Sequence, residues 1–482
     1  MRLYFIWFML IFSIFVHGQI QPGLTFGGPE NDIGYSLCKT NTGGYLLVGT
    51  TRSFGAGSED IFIIKLSSYG SILWENVFGS EHFIYANSVI KLDSGFLITA
   101  FSRDGGTPVT DIQLLKINQN GEKISQHFYG TSGLDAGHKT LKSNDGGYLI
   151  LGYSRGIDPK GDFLLIKTDS TGNEQWRQSY GTEFDDIAFG LLEDKEGKIL
   201  IFGSAGSFYY DINYNFHNHD ADLLLIQTDT IGNILWQKTY GEDGHDFGFD
   251  IKAAREGGYY LFGSSQSFGA DSFDMLLIKV DEMGNEEWHR LYGGNEYEYG
   301  LSMAVNAIGQ LFLFGTTKSY GYSGSADYYL LKTDEHGDII WETTIGGHLA
   351  DFGNEVIATA DSGCAVIGST GSFGAGGQDF LFVKLDKNGM TEDLLSGFPE
   401  TNSDMEIIYP NPTSRSGRVK LPRNVNYRME LVAANGTIVK TYKLLWPEYE
   451  FNVEHLSPGM YFYRITNNGK SEQVFKGKLL IH

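Results

Sequence analysis

Seven times along the chain an aromatic or aliphatic residue is followed by Gly, at Phe26-Gly27, Phe78-Gly79, Tyr129-Gly130, Tyr180-Gly181, Tyr240-Gly241, Tyr292-Gly293 and Ile345-Gly346. Five residues after the Gly stands an acid in six of the seven: Asp32, Asp135, Asp186, Asp246, Glu298 and Asp351, with Ile84 in the odd one. Carboxylates brought into a ring suit a hard cation such as calcium, or the hydroxyls of a polyol. The same residue type also braces turns, accepting hydrogen bonds from the N–H groups of its own loop. A binding site needs asymmetry, whereas a brace recurs because every unit needs it, so the structural role is favoured. The seven Asp that open an apolar run usually ending in Lys (Asp60, Asp111, Asp162, Asp222, Asp274, Asp327 and Asp379) fall under the same argument.

Asymmetry appears in the fourth unit, which carries about eight extra residues in SFYYDINYNFHNHDAD (207–222). This segment gathers Tyr209, Tyr210, Tyr214, Phe216, His217, His219 and Asp220. Exposed aromatic rings offer flat faces for a sugar or a partner protein. His217, His219 and Asp220 are metal-ligating types, but their spacing matches no established motif. Tyr297, Tyr299, Tyr320 and Tyr322 extend the aromatic character of the same face, or serve only to pack unit against unit.

The intervals between successive aromatic-Gly pairs are 52, 51, 51, 60, 52 and 53 residues. Each unit reads as four strands. In the first, GYSLCK (34–39) turns at Gly43-Gly44 into YLLVGTT (45–51), and a loop leads to DIFIIKL (60–66) and then ILWENVFG (72–79). The third strand is apolar on both faces, as a strand sandwiched between neighbouring sheets must be. Gly70, Gly121, Gly172, Gly232, Gly284, Gly337 and Gly389 sit in the turn before the fourth strand, and Trp74, Trp176, Trp236, Trp288 and Trp341 follow four residues later, placed to dock between units. Ser125 and Asp393 break that pattern. Four short antiparallel strands per unit, repeated seven times, predict an all-β seven-bladed propeller over residues 19–390. The last unit lacks its fourth strand, while the chain begins with an orphan copy, QPGLTFGG (21–28), so the N-terminal strand should complete the last blade and close the ring.

Arg2 and the apolar run 3–16 read as a signal peptide with cleavage after Gly18, too short for a membrane span and followed by no Cys for a lipid anchor. No later segment is apolar enough to cross a bilayer as a helix, so no transmembrane segment is expected in the mature chain. The two cysteines, Cys38 and Cys364, fall in the first and last units. Ring closure makes one bridge between them conceivable, and two buried free thiols are the simpler expectation.

The units resemble the seven-bladed propeller repeats of many secreted bacterial proteins, with GGYL, an acid before the apolar strand, and a GN-W turn. That likeness implies a fold and little about function. After a linker (391–404) the composition changes. IYPNPTS (408–414), NGTIV (435–439), LSPGMYFYRI (456–465) and GKLLI (477–481) resemble, in order, the type A sorting domain of the Bacteroidetes type IX secretion system. The resemblance implies that residues 405–482 form a small β-sandwich. It also implies that they engage the type IX machinery, and that the protein is then released or attached at the outer surface. Asn435-Gly436 suits a two-residue hairpin turn there.

Between residues 3 and 402 there are 24 Lys and Arg against 52 Asp and Glu, net −28, which excludes nucleic acid and anionic membranes as partners. There is no GxSxG, HExxH or P-loop, and no cofactor is called for beyond an optional calcium at the acid ring. The expectation is a non-enzymatic, secreted or surface binding protein for polysaccharide or another surface protein. The alternatives are a propeller glycosidase or lyase, needing facing carboxylates in a deep cleft, and a purely structural surface component.

Overall fold

The computed structural model describes residues 23–103, 109–156, 161–207, 209–210, 216–217, 221–270 and 272–392. Beyond these it describes the strands of the C-terminal region and some of their turns, between 408 and 481. The apolar N-terminal run expected to be a signal peptide, and most of the linker, lie outside the described residues. Regular structure among the described residues is strand throughout, apart from one 3-10 turn at Tyr322–Gly324.

Seven four-stranded antiparallel sheets follow one another as the blades. The innermost strands are Asp32–Lys39, Ile84–Leu92, Asp135–Lys142, Asp185–Glu193, Asp246–Ala253, Glu298–Val305 and Asp351–Ala358. Second and third strands are almost wholly buried, because each sheet is covered on both faces by its neighbours. The ring closes as the sequence predicts. Leu24–Phe26 pairs antiparallel with Asp379–Leu385, Leu24 opposite Phe382 and Phe26 opposite Phe380. Phe26 then packs with Leu37, Tyr45, Phe62, Phe380 and Phe382 in the layer between the last blade and the first.

The motif residues bolt blade to blade. The hydroxyls of Tyr129, Tyr180, Tyr240 and Tyr292 donate to the carbonyls of Gly172, Gly232, Gly284 and Gly337 in the following blade at 2.6–2.7 Å. Those same turn glycines take positive φ. A Cβ on Gly232 or Gly284 would also fall within 3.0 Å of the Trp176 or Trp236 ring. The Gly and the Trp of successive units are therefore one docking joint. Ring closure does not unite the cysteines. Cys38 packs between the first and second blades, Cys364 between the sixth and seventh, and both thiols are free.

The C-terminal region holds a three-stranded sheet (Ile408–Tyr409, Ser416–Lys420, Glu448–Asn452). A four-stranded sheet accompanies it, in the order Ile438–Leu444, Tyr427–Ala433, Gly459–Asn467, Val474–Ile481. Val419 and Phe451 of the first share one core with Met429, Leu431 and Ile465 of the second, the packing of a small sandwich. Asn435-Gly436 lies outside the described residues, but the strands on either side pair as a hairpin.

Candidate functional site

The six acids mark the end of the propeller where the inner strands begin, but they do not open onto the channel. Asp32, Asp135, Asp186, Asp246, Glu298 and Asp351 are all fully buried. Asp32 accepts from Gly28 N and Ser53 Oγ, each at 2.7 Å. Asp135 accepts from Thr131 N and Oγ1, Asp186 from Thr182 N and Gly206 N, and Asp246 from Ser267 Oγ. Glu298 accepts from Gly294 N and Ser319 N, and Asp351 from Gly347 N and Ser372 Oγ. Each closes its own loop, the bracing role. In the second blade Ile84 fills the position within an apolar cluster. Among the described residues no group of three or more His, Cys, Asp or Glu converges as metal ligands.

A second acid stands behind each of the six. A Cβ placed on Gly346 would lie 2.2 Å from Asp327 Oδ1 and 2.7 Å from Asp351 Oδ2, and one on Gly27 would lie 1.8 Å from Asp379 Oδ1 and 2.7 Å from Asp32 Oδ2. A Cβ would fall within 3.0 Å of two carboxyls at Gly27, Gly181, Gly241, Gly293 and Gly346, and of the Asp60 or Asp111 carboxyl at Gly79 and Gly130, which is why the aromatic-Gly motif carries Gly. Burial, aided by Asp351, pushes the Asp327 carboxyl up to about 6.

In the fourth-blade insertion, Tyr209–Tyr210 and Phe216–His217 form a two-rung antiparallel ladder, Tyr209 opposite His217 and Tyr210 opposite Phe216. Their side chains, and Tyr214, His219 and Asp220 altogether, lie outside what is described. On the same face of the propeller, rings run in contact across the fifth and sixth blades. Phe247 lies 5.5 Å from Phe273, Phe273 5.2 Å from Tyr299, and Tyr299 5.1 Å from Tyr297. Tyr320 instead packs on Tyr329 and donates to Gly293 O, and Tyr322 meets His348 edge-on.

The cavity with the chemistry lies deeper, on the propeller axis, lined by inner-strand residues of all seven blades and enclosing about 280 Å³. Every inner strand has a β-bulge three to four residues after its acid position, for example between Gly34 and Ser36, Gly137 and Lys139, and Gly353 and Glu355. A bulge re-aims side chains and leaves one residue unpaired. In three blades the side chain of that unpaired residue latches the next blade. Asn87 Nδ2 reaches Gly137 O, His138 Nδ1 reaches Ala188 O and Asn354 Nδ2 reaches Gly34 O, each at 2.8 Å. His138 must therefore be protonated on Nδ1, and burial pulls its pKa down to about 4, so it is neutral near pH 7. The fourth and fifth blades place rings there instead. His138 stacks on Phe189 with centroids 4.4 Å apart, and Phe189 meets Phe249 at a tilt, 5.3 Å apart.

The residue after the unpaired one differs in kind around the ring: Ser36, Ser88, Lys139, Gly190, Asp250, Ser302 and Glu355. Lys139 Nζ donates to Asp250 Oδ1 at 2.8 Å, and Lys252 Nζ reaches both Asp250 oxygens at 2.7 Å. Ile251 N and Met303 N also donate to Asp250, so its acceptor sites are filled. Burial opposes the charge on Asp250, but the two ammonium groups outweigh it and hold the carboxyl at about 2. Burial likewise opposes the charge on Lys139, and Asp250 keeps that ammonium above its usual range. Glu355 accepts from Ser36 Oγ at 2.6 Å and Leu37 N at 2.8 Å, both through Oε2, and burial pushes its carboxyl up. This set was not singled out from the sequence. The available signal was variation in residue type four positions after the near-constant acid.

Residues 407–481 match the secretion system C-terminal sorting domain family. Over 149 residues the chain is 24% identical to the regulatory protein FlaEY of Caulobacter vibrioides, covering 26% of this chain and 16% of that protein. Among solved structures it is similar to Drosophila Semaphorin 2a (TM-score 0.45, 7% identity, covering 96% of this chain and 98% of that one). It is also similar to the extracellular domain of the hybrid two-component system BT3049 of B. thetaiotaomicron (TM-score 0.39, 11% identity, covering 94% and 55%). Among the described residues no helix is long and apolar enough to cross a membrane. The chain carries, behind a seven-bladed β-propeller, a C-terminal sorting domain of the type IX kind, which implies secretion to the cell surface or beyond.

Proposed function

We infer that this protein is a non-enzymatic carbohydrate-binding protein, delivered outside the cell by its sorting domain and binding on the face and axis of the propeller. The observation that carries this reading is the axial cavity, where the contiguous rings of His138, Phe189 and Phe249 stand among hydrogen-bonding groups of the other blades. An apolar ring face beside converging donors and acceptors suits a sugar, which has both a C–H face and hydroxyl edges. The ring row from Phe247 to Tyr297 gives more of the chain somewhere to lie.

The catalytic alternative asks for two carboxylates free to act as acid and base or nucleophile. Asp250 and Glu355 are both at the cavity, and their pKa values are pushed apart, a pattern that often marks an acid–base pair. Asp250, however, accepts five hydrogen bonds and serves as an anchor for two lysines, with no lone pair left for a water or a sugar carbon. Binding without turnover is the better fit.

The test is a glycan array and polysaccharide pull-down with the secreted chain (residues 19–482), with calcium and with chelator. The reading expects saturable binding to a neutral polysaccharide, unaffected by chelator and without release of reducing ends. Absence of binding to every glycan, or steady release of reducing ends, would overturn it.

A further inference from the structure

Lys139 and Glu355 carry opposite charges on the third and seventh blades and both line the axial cavity, yet they do not pair with each other. Lys139 spends one N–H on Asp250, leaving two, and Glu355 uses only Oε2. Unfilled donors on one wall and an unfilled acceptor oxygen on another call for a ligand that accepts at one edge and donates at the other. Phe249 and Phe189 occupy the wall between, where a flat face would stack.

Charge narrows the class further. Lys139, Lys252, Asp250 and Glu355 sum to zero, inside a propeller region of net −28. An anion would have to enter against that field with no surplus positive charge to receive it. A neutral polyol costs nothing on either count. Volume narrows it again. About 280 Å³ is at the small end of ligand pockets, which run from roughly 300 Å³ upward, enough for one sugar ring and not for a run of them.

We propose that the waist of the channel, between Lys139, Glu355 and Phe249, is an end-on site for one neutral pyranose unit, the terminal residue of the bound glycan. This rests on the carbohydrate reading above and adds where the chain end goes. Lys139 donates to a hydroxyl or ring oxygen, Glu355 Oε1 accepts from hydroxyls across the ring, and Phe249 covers one face. The remaining units leave along the axis toward the mouth, where the Phe247–Tyr297 ring row stands. Recognition at a chain end makes a free monosaccharide a competitor for the whole polymer.

The experiment measures binding of the best neutral polysaccharide from the array to the secreted chain, in competition with glucose, galactose, mannose, glucuronate and phenylalanine. Lys139→Met, Glu355→Gln and Phe249→Ala are compared with Tyr210→Ala, each checked for folding by its melting curve. The proposal expects one neutral hexose to compete. It expects each waist variant to lose ten-fold or more in affinity, with Tyr210→Ala changing little. Polysaccharide binding that no monosaccharide displaces and the waist variants retain overturns the end-on site while leaving carbohydrate binding intact. Competition by glucuronate or phenylalanine but by no neutral hexose overturns the neutral-sugar assignment. Absence of any polysaccharide binding overturns both readings together. Glu355→Gln, the nearest to isosteric, decides if another variant melts early.

Discussion

Lys139 on the third blade reaches Asp250 on the fifth at 2.8 Å, spanning the fourth blade, whose residue at the corresponding position is Gly190. The missing side chain in the middle blade leaves room for an ion pair between blades that are not neighbours. Lys252 completes the set on the strand of Asp250 itself. The outcome is an asymmetric waist in a ring of seven similar sheets.

That arrangement predicts unequal costs. Asp250→Ala leaves two half-buried ammonium groups without their shared carboxylate and should destabilise the fold by about 2–4 kcal/mol, less than the cost of stranding fully buried charges because both lysines keep some contact with water. Lys139→Met keeps Asp250 bonded to Lys252, Ile251 N and Met303 N and should cost no more than about 1 kcal/mol. Denaturant melts of both variants check this. Equal losses would mean that Asp250 is not the hub.

The carboxyl pairs over the motif glycines predict a pH dependence. Asp327 has its carboxyl raised to about 6 by burial and by Asp351, while Tyr322 N and Ser325 Oγ donate to it. A raised carboxyl favours the fold most where it is protonated, and that contribution is lost as pH rises from about 4 through 6. Asp327→Asn keeps an acceptor for Tyr322 N and removes the charge. It should leave stability near wild type at pH 4.5 and raise it by about 1–3 kcal/mol at pH 7.5. Melting curves at the two pH values test it, and an equal effect at both would contradict the paired-carboxyl account.

Cys38 and Cys364 sit in different inter-blade layers, and burial pushes both thiols well above their usual pKa. Two thiols should be titrated by Ellman's reagent after denaturation and almost none in the native protein, over minutes. Finding no thiol after denaturation without reductant would show a bridge.

Much of this architecture was legible because it repeats. Seven copies of one spacing fixed the blades, the orphan strand ending at Phe26 foretold the clasp with Phe380, and the turn Gly and following Trp foretold the docking joint. The acid positions were legible as braces for the same reason. The waist was not, because its meaning depends on the bulge. Simple alternation along Asp135–Lys142 gives no reason for both His138 and Lys139 to line the channel, and only the shifted register after Gly137 does so. A variable column inside a regular repeat is visible in the sequence, but residue type alone does not show that the bulges bring its members together on the axis. Asp327 was read as structural from its recurrence, but its partner across Gly346 is a contact between blades that no spacing shows.

Saturation-transfer NMR on the secreted chain with a mixture of neutral mono- and disaccharides tests the central claim most directly. The account predicts transfer to one pyranose in the wild type, lost in Phe249→Ala and kept in Tyr210→Ala. Equal transfer in wild type and Phe249→Ala, or no transfer to any sugar, would contradict it.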